Sequence, residues 1–176
     1  MQPLFFRFFI SVFLCIFPIL LFGCQSIPDA QTLLSFSSES FQCGFTVTSG
    51  DEQVSASLSR DIEGDTLTVT GEYSRVVYRF INNQPYLYTA ASEEEAALLI
   101  PITLPIDCGS AYWRSLFCVL PTDTMQTTVQ SGVCHLTDTE NAYSAQFTYD
   151  GAPICISDGR STVSITSLSF LPSDET

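Results

Sequence analysis

Lysine is absent from this chain. Six arginines (Arg7, Arg60, Arg75, Arg79, Arg114 and Arg160) face 19 Asp and Glu, and the formal charge over 176 residues is −13. That scarcity of cations excludes non-specific binding to nucleic acid, which depends on displacing condensed counterions. It also disfavours docking on anionic lipid through a polybasic patch. There is a single histidine, and no G-x-S-x-G, H-E-x-x-H, C-x-x-C or phosphate-cradling glycine loop occurs. No catalytic residue, metal site or cofactor is therefore expected, and no enzyme. Repeats of solenoid length are missing too.

What remains is a chain that is 45% hydrophobic and 12% aromatic, rich enough in apolar side chains to close a core and of single-domain length. Residues 1–23 stand apart from it. Arg7 precedes the uncharged apolar run Phe8 to Phe22, interrupted by Pro18 and ended by Gly23, which is the order of a secretory signal. The run is short for a spanning helix of about 20 residues. Leu21-Phe22-Gly23-Cys24 resembles the lipobox of bacterial lipoproteins, with Phe22 in place of the usual small or β-branched residue. The resemblance implies cleavage before Cys24 and acylation of that residue by diacylglycerol and palmitate-like chains, anchoring the protein to the membrane on its outer side. An uncleaved anchor, or an ordinary signal with an incidental Cys24, would also place the rest outside the cytoplasm. Loss of Arg7 with the leader leaves five arginines against 19 carboxylates, a formal −14.

Residues 24–40 then read as a lipidated N-terminus and a polar, Ser-rich tether, although Thr32–Phe36 has the pattern of a short amphipathic piece able to dock. Residues 41–172 read as one β-rich domain and 173–176 as a tail. Phe41, Cys43, Phe45 and Val47 alternate with polar residues, and so do Val54, Ala56 and Leu58, then Leu67 and Val69. Arg75 to Ile81, an Asn82-Asn83 turn and Tyr86 to Tyr88 continue the pattern. Such period-2 alternation with one Ser/Thr face marks antiparallel strands solvated on one side.

The period then changes. Ser92 and Glu95 fit a capping box opening a short helix through about Leu99. Trp113, Leu116, Phe117 and Leu120 fall on one helical face between Ser110 and Leu120, ahead of Pro121. Strands resume at Gly132 to Leu136 and Tyr143 to Tyr149. Asp150-Gly151 signals a two-residue hairpin that would set Phe147 opposite Ile154 and Ala145 opposite Ile156. Between Val163 and Leu171 the apolar positions slip from odd to even, which predicts a bulge near Thr166-Ser167. The expected fold class is mainly β (α+β), a strongly curved antiparallel sheet with one or two helices covering its concave face.

This order resembles the LolA/LolB-like half-barrel of envelope lipoprotein carriers. The resemblance runs from Phe41 to Pro172 and rests on the Ser40-Phe41-Gln42 start, the Pro-flanked helical middle, and Tyr149-Asp150-Gly151-Ala152-Pro153 before the last strand. It implies an apolar cavity for a lipid or hydrophobic ligand, walled by Phe45, Leu67, Val69, Tyr78, Phe80, Trp113, Phe117, Phe147 and Phe170. The same side chains could instead meet one another as a filled core, leaving a structural or protein-interaction lipoprotein. A lipid anchor at Cys24 argues against a soluble shuttle and for an anchored binding or sensor module.

Few residues suggest chemistry. Beyond Cys15 and Cys24 the cysteines are Cys43, Cys108, Cys118, Cys134 and Cys155. Cys134 and Cys155 are the candidate disulfide, with reduced buried thiols as the alternative. His135 follows Cys134, and consecutive strand residues point to opposite faces, so the two do not form a nucleophile pair. Glu93-Glu94-Glu95 fits the favourable electrostatics of a helix start. Asp61-Ile62-Glu63-Gly64-Asp65 reads as a turn, lacking the spacing of a calcium loop. Arg75 and Arg79 share the outer face of their strand, within reach of Glu72 or a neighbouring strand.

Overall fold

The computed structural model of the protein describes residues 26–71, 75–89, 98–103 and 109–172. Eleven strands form one antiparallel sheet: β1 (Phe41–Ser49), β2 (Glu52–Asp61), β3 (Gly64–Thr70), β4 (Arg75–Ile81), β5 (Gln84–Thr89), β6 (Leu98–Pro101), β7 (Met125–Gln130), β8 (Val133–Asp138), β9 (Tyr143–Thr148), β10 (Pro153–Ser157) and β11 (Thr162–Phe170). Two short helices accompany them, α1 (Ala30–Leu34), which runs on into a 3₁₀ turn at Ser35–Ser38, and α2 (Gly109–Leu116). The strand order is β6-β5-β4-β3-β2-β1-β11-β10-β9-β8-β7. The chain starts at the middle of the sheet, meanders out to one edge, crosses through α2 to the other edge, and meanders back until β11 closes against β1. The fold is the curved, open antiparallel sheet with helical cover that the alternation predicts.

Local chemistry sets the register. At the β4–β5 corner Asn82 and Asn83 both take positive φ, and at β7–β8 Ser131 and Gly132 do the same. Two consecutive left-handed residues make the turn whose twist matches a two-residue hairpin. The predicted bulge is present: Gly44 pairs with Ser167 and Phe45 with Ile165, leaving Thr166 unpaired. Gly44 makes room for it, because a Cβ there would lie 2.7 Å from the Ser167 hydroxyl, which accepts a hydrogen bond from the Gly44 N–H.

Four expectations need correction. The Asp150-Gly151 hairpin is longer than a two-residue loop. Thr148 N–H donates to the Ala152 carbonyl and Gly151 N–H to the Thr148 carbonyl, so three residues make the turn, with Gly151 at positive φ. Ala145 does face Ile156, but Phe147 faces Pro153 and Ile154 becomes the extra residue. Second, α2 stops at Leu116, its exit tightening through Phe117 N–H to Arg114 and Cys118 N–H to Ser115 carbonyl bonds. Pro121 disfavours helical backbone at Leu120, which ends 76% exposed instead of completing the helical stripe. Third, Leu98–Pro101 is not the end of a helix but a strand paired with β5; Ser92–Glu95 lies outside the described residues. Fourth, of the two readings of the N-terminal segment, the docked amphipathic piece at Thr32–Phe36 holds and the tether reading does not extend past Asp29, where the segment joins the domain. Asp29 caps α1 by accepting from Thr32 N–H at 2.7 Å, and Leu33, Leu34 and Phe36 are buried. A five-residue helix has little stability of its own, so those three apolar side chains hold it.

The core lies on one face. Phe41, Cys43, Phe45 and Val47 of β1 join Leu58 of β2, Leu67 of β3, Leu136 of β8, Phe147 of β9, Ile156 of β10 and Val163 of β11 beneath the two helices. Gly64, where β3 leaves its turn at φ +140, has no space for a side chain, because a Cβ would overlap the Phe80 carbonyl. Gly64→Ala is therefore expected to cost about 3 kcal/mol or more, whereas Gly50→Ala, also left-handed but facing open space, costs about 1–2. Urea denaturation of the two variants checks the contrast.

Candidate functional site

The residues proposed as cavity walls converge, but on one another. Phe147, Phe36, Phe41, Phe117 and Phe45 form a chain of ring contacts with successive centroids 6.1, 6.0, 6.3 and 5.2 Å apart. Two of these rings come from the cover rather than the sheet: Phe36 from the 3₁₀ turn and Phe117 from the end of α2. Leu67 and Phe80 are buried in the same cluster, and Val69, Tyr78 and Trp113 pack against it half-buried. The middle of the concavity is filled. Phe170 departs from the set. It pairs in register with Phe41 but stands at the rim, 49% exposed.

One buried carboxylate organises the polar part of the interior. Asp65 sits on the inward-facing row of β3 with Leu67 and is only 3% exposed. Arg60 of β2 grips it with two hydrogen bonds, 2.7 and 3.0 Å, and Arg114 of α2 donates to the same carboxylate. Arg60 also donates to the Ser37 carbonyl and lies 2.9 Å from the Cys118 sulfur. Arg114 reaches Asn83 at 3.0 Å. Each guanidinium stacks on a ring, Arg60 on Phe41 at 5.3 Å and Arg114 on Phe80 at 4.8 Å. Burial by itself would raise the Asp65 pKa, but the two arginines together outweigh it and hold the carboxyl below its ordinary range. From the sequence alone Asp65 is the last residue of a turn and Arg114 has no visible partner. The available signal was an acid on the inward parity of a strand that otherwise alternates apolar and hydroxyl residues.

Other candidates separate. The Cys134–Cys155 disulfide does not form. Cys134 is fully buried on the concave face opposite Phe147, whereas Cys155 points outward opposite Gln146, with β9 between their strands. Burial pushes the Cys43 thiol up to about 12. His135 faces away from Cys134, beside Gln146 and Thr128. The Asp61 turn closes on itself, its carboxylate accepting from Glu63 and Gly64 N–H. Arg79 pairs with Glu63 at 2.9 Å and Asp61 at 3.6 Å, an exposed arrangement worth little; Glu72 and the Glu93 run lie outside the described residues. Asp138 is buried and fully bonded to Thr122, Thr124 and Asn141 and to the Glu140 N–H, the Asn141 side chain chiefly holding its pKa low. Among the described residues no three His, Cys, Asp or Glu side chains are grouped to hold a metal, and no helix is long and apolar enough to cross a membrane.

A cleft of about 330 Å³ opens at the end of the domain where the N-terminal segment enters. Its walls are Phe36, Tyr149 and Phe170, its rim carries Glu39 and Asp150, and Thr32 and Ser35 line one side. It lies between the N-terminal segment with its 3₁₀ turn, the Thr148–Ala152 hairpin and the end of β11, so three segments distant in sequence build it. The nearby Thr148 hydroxyl holds the Asp150 carboxyl below its ordinary range. Of the nine expected wall residues only Phe170 lines this cleft, at the rim rather than in the interior that the resemblance implies.

Two outcomes follow. Asp65→Asn leaves two partly buried guanidiniums without a counter-charge and is expected to cost about 3–5 kcal/mol at pH 7. Because the folded pKa of Asp65 is depressed, its contribution is present above about pH 4 and fades as pH falls through the folded value. Urea titrations at pH 7 and pH 3 should therefore show the gap between wild type and variant narrowing in acid. In native-state alkylation followed by mass spectrometry, exposed Cys118 reacts first among the described cysteines, while Cys43 and Cys134 wait for unfolding.

No family model matches the chain, and no curated protein matches it. Among solved structures it is similar to MucB in complex with MucA(peri) and to the Pseudomonas aeruginosa MucA/MucB complex, at 13% identity and a TM-score of 0.45 in each case. These alignments take in 82% of this chain and 56% and 57% of those chains. The chain thus spans a little more than half the length of the structures it resembles.

Proposed function

We propose that this chain is a lipid-anchored extracytoplasmic lipoprotein whose domain is a non-catalytic binding module, recognising a protein partner from its surface. The anchor rests on Leu21-Phe22-Gly23-Cys24, with two or more acyl chains on Cys24 supplying stable membrane attachment. The observation that carries the binding mode is the occupied concavity. Phe36 and Phe117 stand where a lipid or hydrophobic ligand would lie, which favours surface recognition over storage of a lipid inside the sheet. The surface charge of the mature chain, five arginines against 19 carboxylates, favours a basic partner over anionic lipid or nucleic acid.

The anchor and the partner are tested separately. Mass spectrometry of the N-terminal peptide should find an acylated Cys24, and Cys24→Ala should move the protein from the membrane to the soluble extracytoplasmic fraction; an unmodified Cys24 overturns the anchor. Crosslinking in the intact envelope should join the domain to a discrete protein. Stoichiometric lipid released from the purified interior would restore the ligand-storage reading instead.

A further inference from the structure

The cleft beside Phe170 combines three features. Its walls are aromatic, its rim is acidic, and it opens to solvent in a protein that carries no lysine to fill it. Phe36 is locked from behind by Phe41 and Phe147, whereas Phe170 is half-exposed and Tyr149 half-buried against the core. A large aromatic left half-exposed at the mouth of a cleft presents a π-face that no ring or guanidinium covers among the described residues. Aromatic faces attract cations, and more strongly where water is thinned out. The same fold uses that attraction twice internally, with Arg60 over Phe41 and Arg114 over Phe80. None of the described arginines lines this cleft.

We infer that the cleft receives a cationic side chain, Lys or Arg, together with a neighbouring apolar residue, from a basic segment of a partner polypeptide. This deepens the surface-binding reading above and rests on it. Glu39 and Asp150 supply the charge complement, and Phe170 with Tyr149 supplies the apolar and π surface. At about 330 Å³ the cleft sits at the small end of ligand sites, roughly 300–1,000 Å³, a size for one or two side chains rather than a whole lipid. The bilayer surface is the poorer occupant. Glu39 and Asp150 line the cleft, and an anionic leaflet would repel them.

The test uses the full-length acylated chain, isotope-labelled, in neutral maltoside micelles. Titration with the peptide Lys-Phe-Lys should move the amide resonances of Tyr149, Gly151 and Phe170 saturably. Affinity should fall about tenfold in Phe170→Ala and in the double variant Glu39→Gln, Asp150→Asn, and should fall as salt is raised. Glu-Phe-Glu should leave the same resonances in place. Equal binding of both peptides, shifts that map elsewhere, unchanged affinity in the variants, or the absence of saturable binding each overturns the assignment. So does reproduction of the same shifts by phosphatidylglycerol vesicles without peptide, which would make the bilayer the occupant. A partner crosslinked in the envelope at a different face would sink this inference and leave the binding-module reading standing.

Discussion

Asp65 is the point on which the covering elements converge. Its carboxylate is shared by a guanidinium from β2 and one from α2, and the first of these reaches on to the Ser37 carbonyl of the N-terminal segment. Three pieces of chain remote in sequence are thereby indexed to a single atom group on the sheet. Removing such ions from water recovers little beyond its own cost, so the value of the arrangement lies in position. An apolar cover can slide across an apolar face with small loss, but a buried carboxylate accepts its partners in few geometries. With the cover fixed in this way, Phe117 and Phe36 arrive over the centre of the curve and fill it.

That filling decides where recognition can occur. A half-barrel whose hollow is already taken has only its rim, its edges and its outer face to offer. The outer face of β1 to β3 is largely Ser and Thr, and the rim at the N-terminal end holds a cleft in which aromatic and acidic residues meet. Its two walls depend on separate devices, the capped α1 and 3₁₀ turn on one side and the three-residue hairpin with left-handed Gly151 on the other. The geometry of the cleft is therefore inherited from the same N-terminal segment that Arg60 secures.

The central strands were legible because one of their faces is buried and the other wet. Cys43, Phe45 and Val47, or Tyr143, Ala145 and Phe147, can alternate only if the sheet has an inside. The bulge at Thr166 could be read for the same reason, since a slip in parity must be absorbed somewhere. The edge strands β6 and β7 were not legible. Leu98 to Ile100 is apolar on both faces and Met125 to Gln130 polar on most positions, so neither shows the contrast on which periodicity depends. Phe170 was misplaced because alternation gives a residue's face but not its distance from the rim. Arg114 and Asp65 were missed because a buried ion pair is a long-range fact: nothing within five residues of either announces the other.

The pairing of β1 with β11 has a consequence for how such a chain comes into being. A polypeptide made from its N-terminus delivers Phe41–Ser49 early and its partner strand Thr162–Phe170 last among the strands. Until then one side of the founding strand remains open, an unsatisfied backbone edge in the heart of the future sheet. Closure also joins the most distant pieces of the sequence, the kind of contact whose late payoff slows assembly. The nascent molecule thus spends its vulnerable interval as two incomplete meanders, and the acidic, lysine-free character of the chain keeps neighbouring copies apart while the seam is still unsewn.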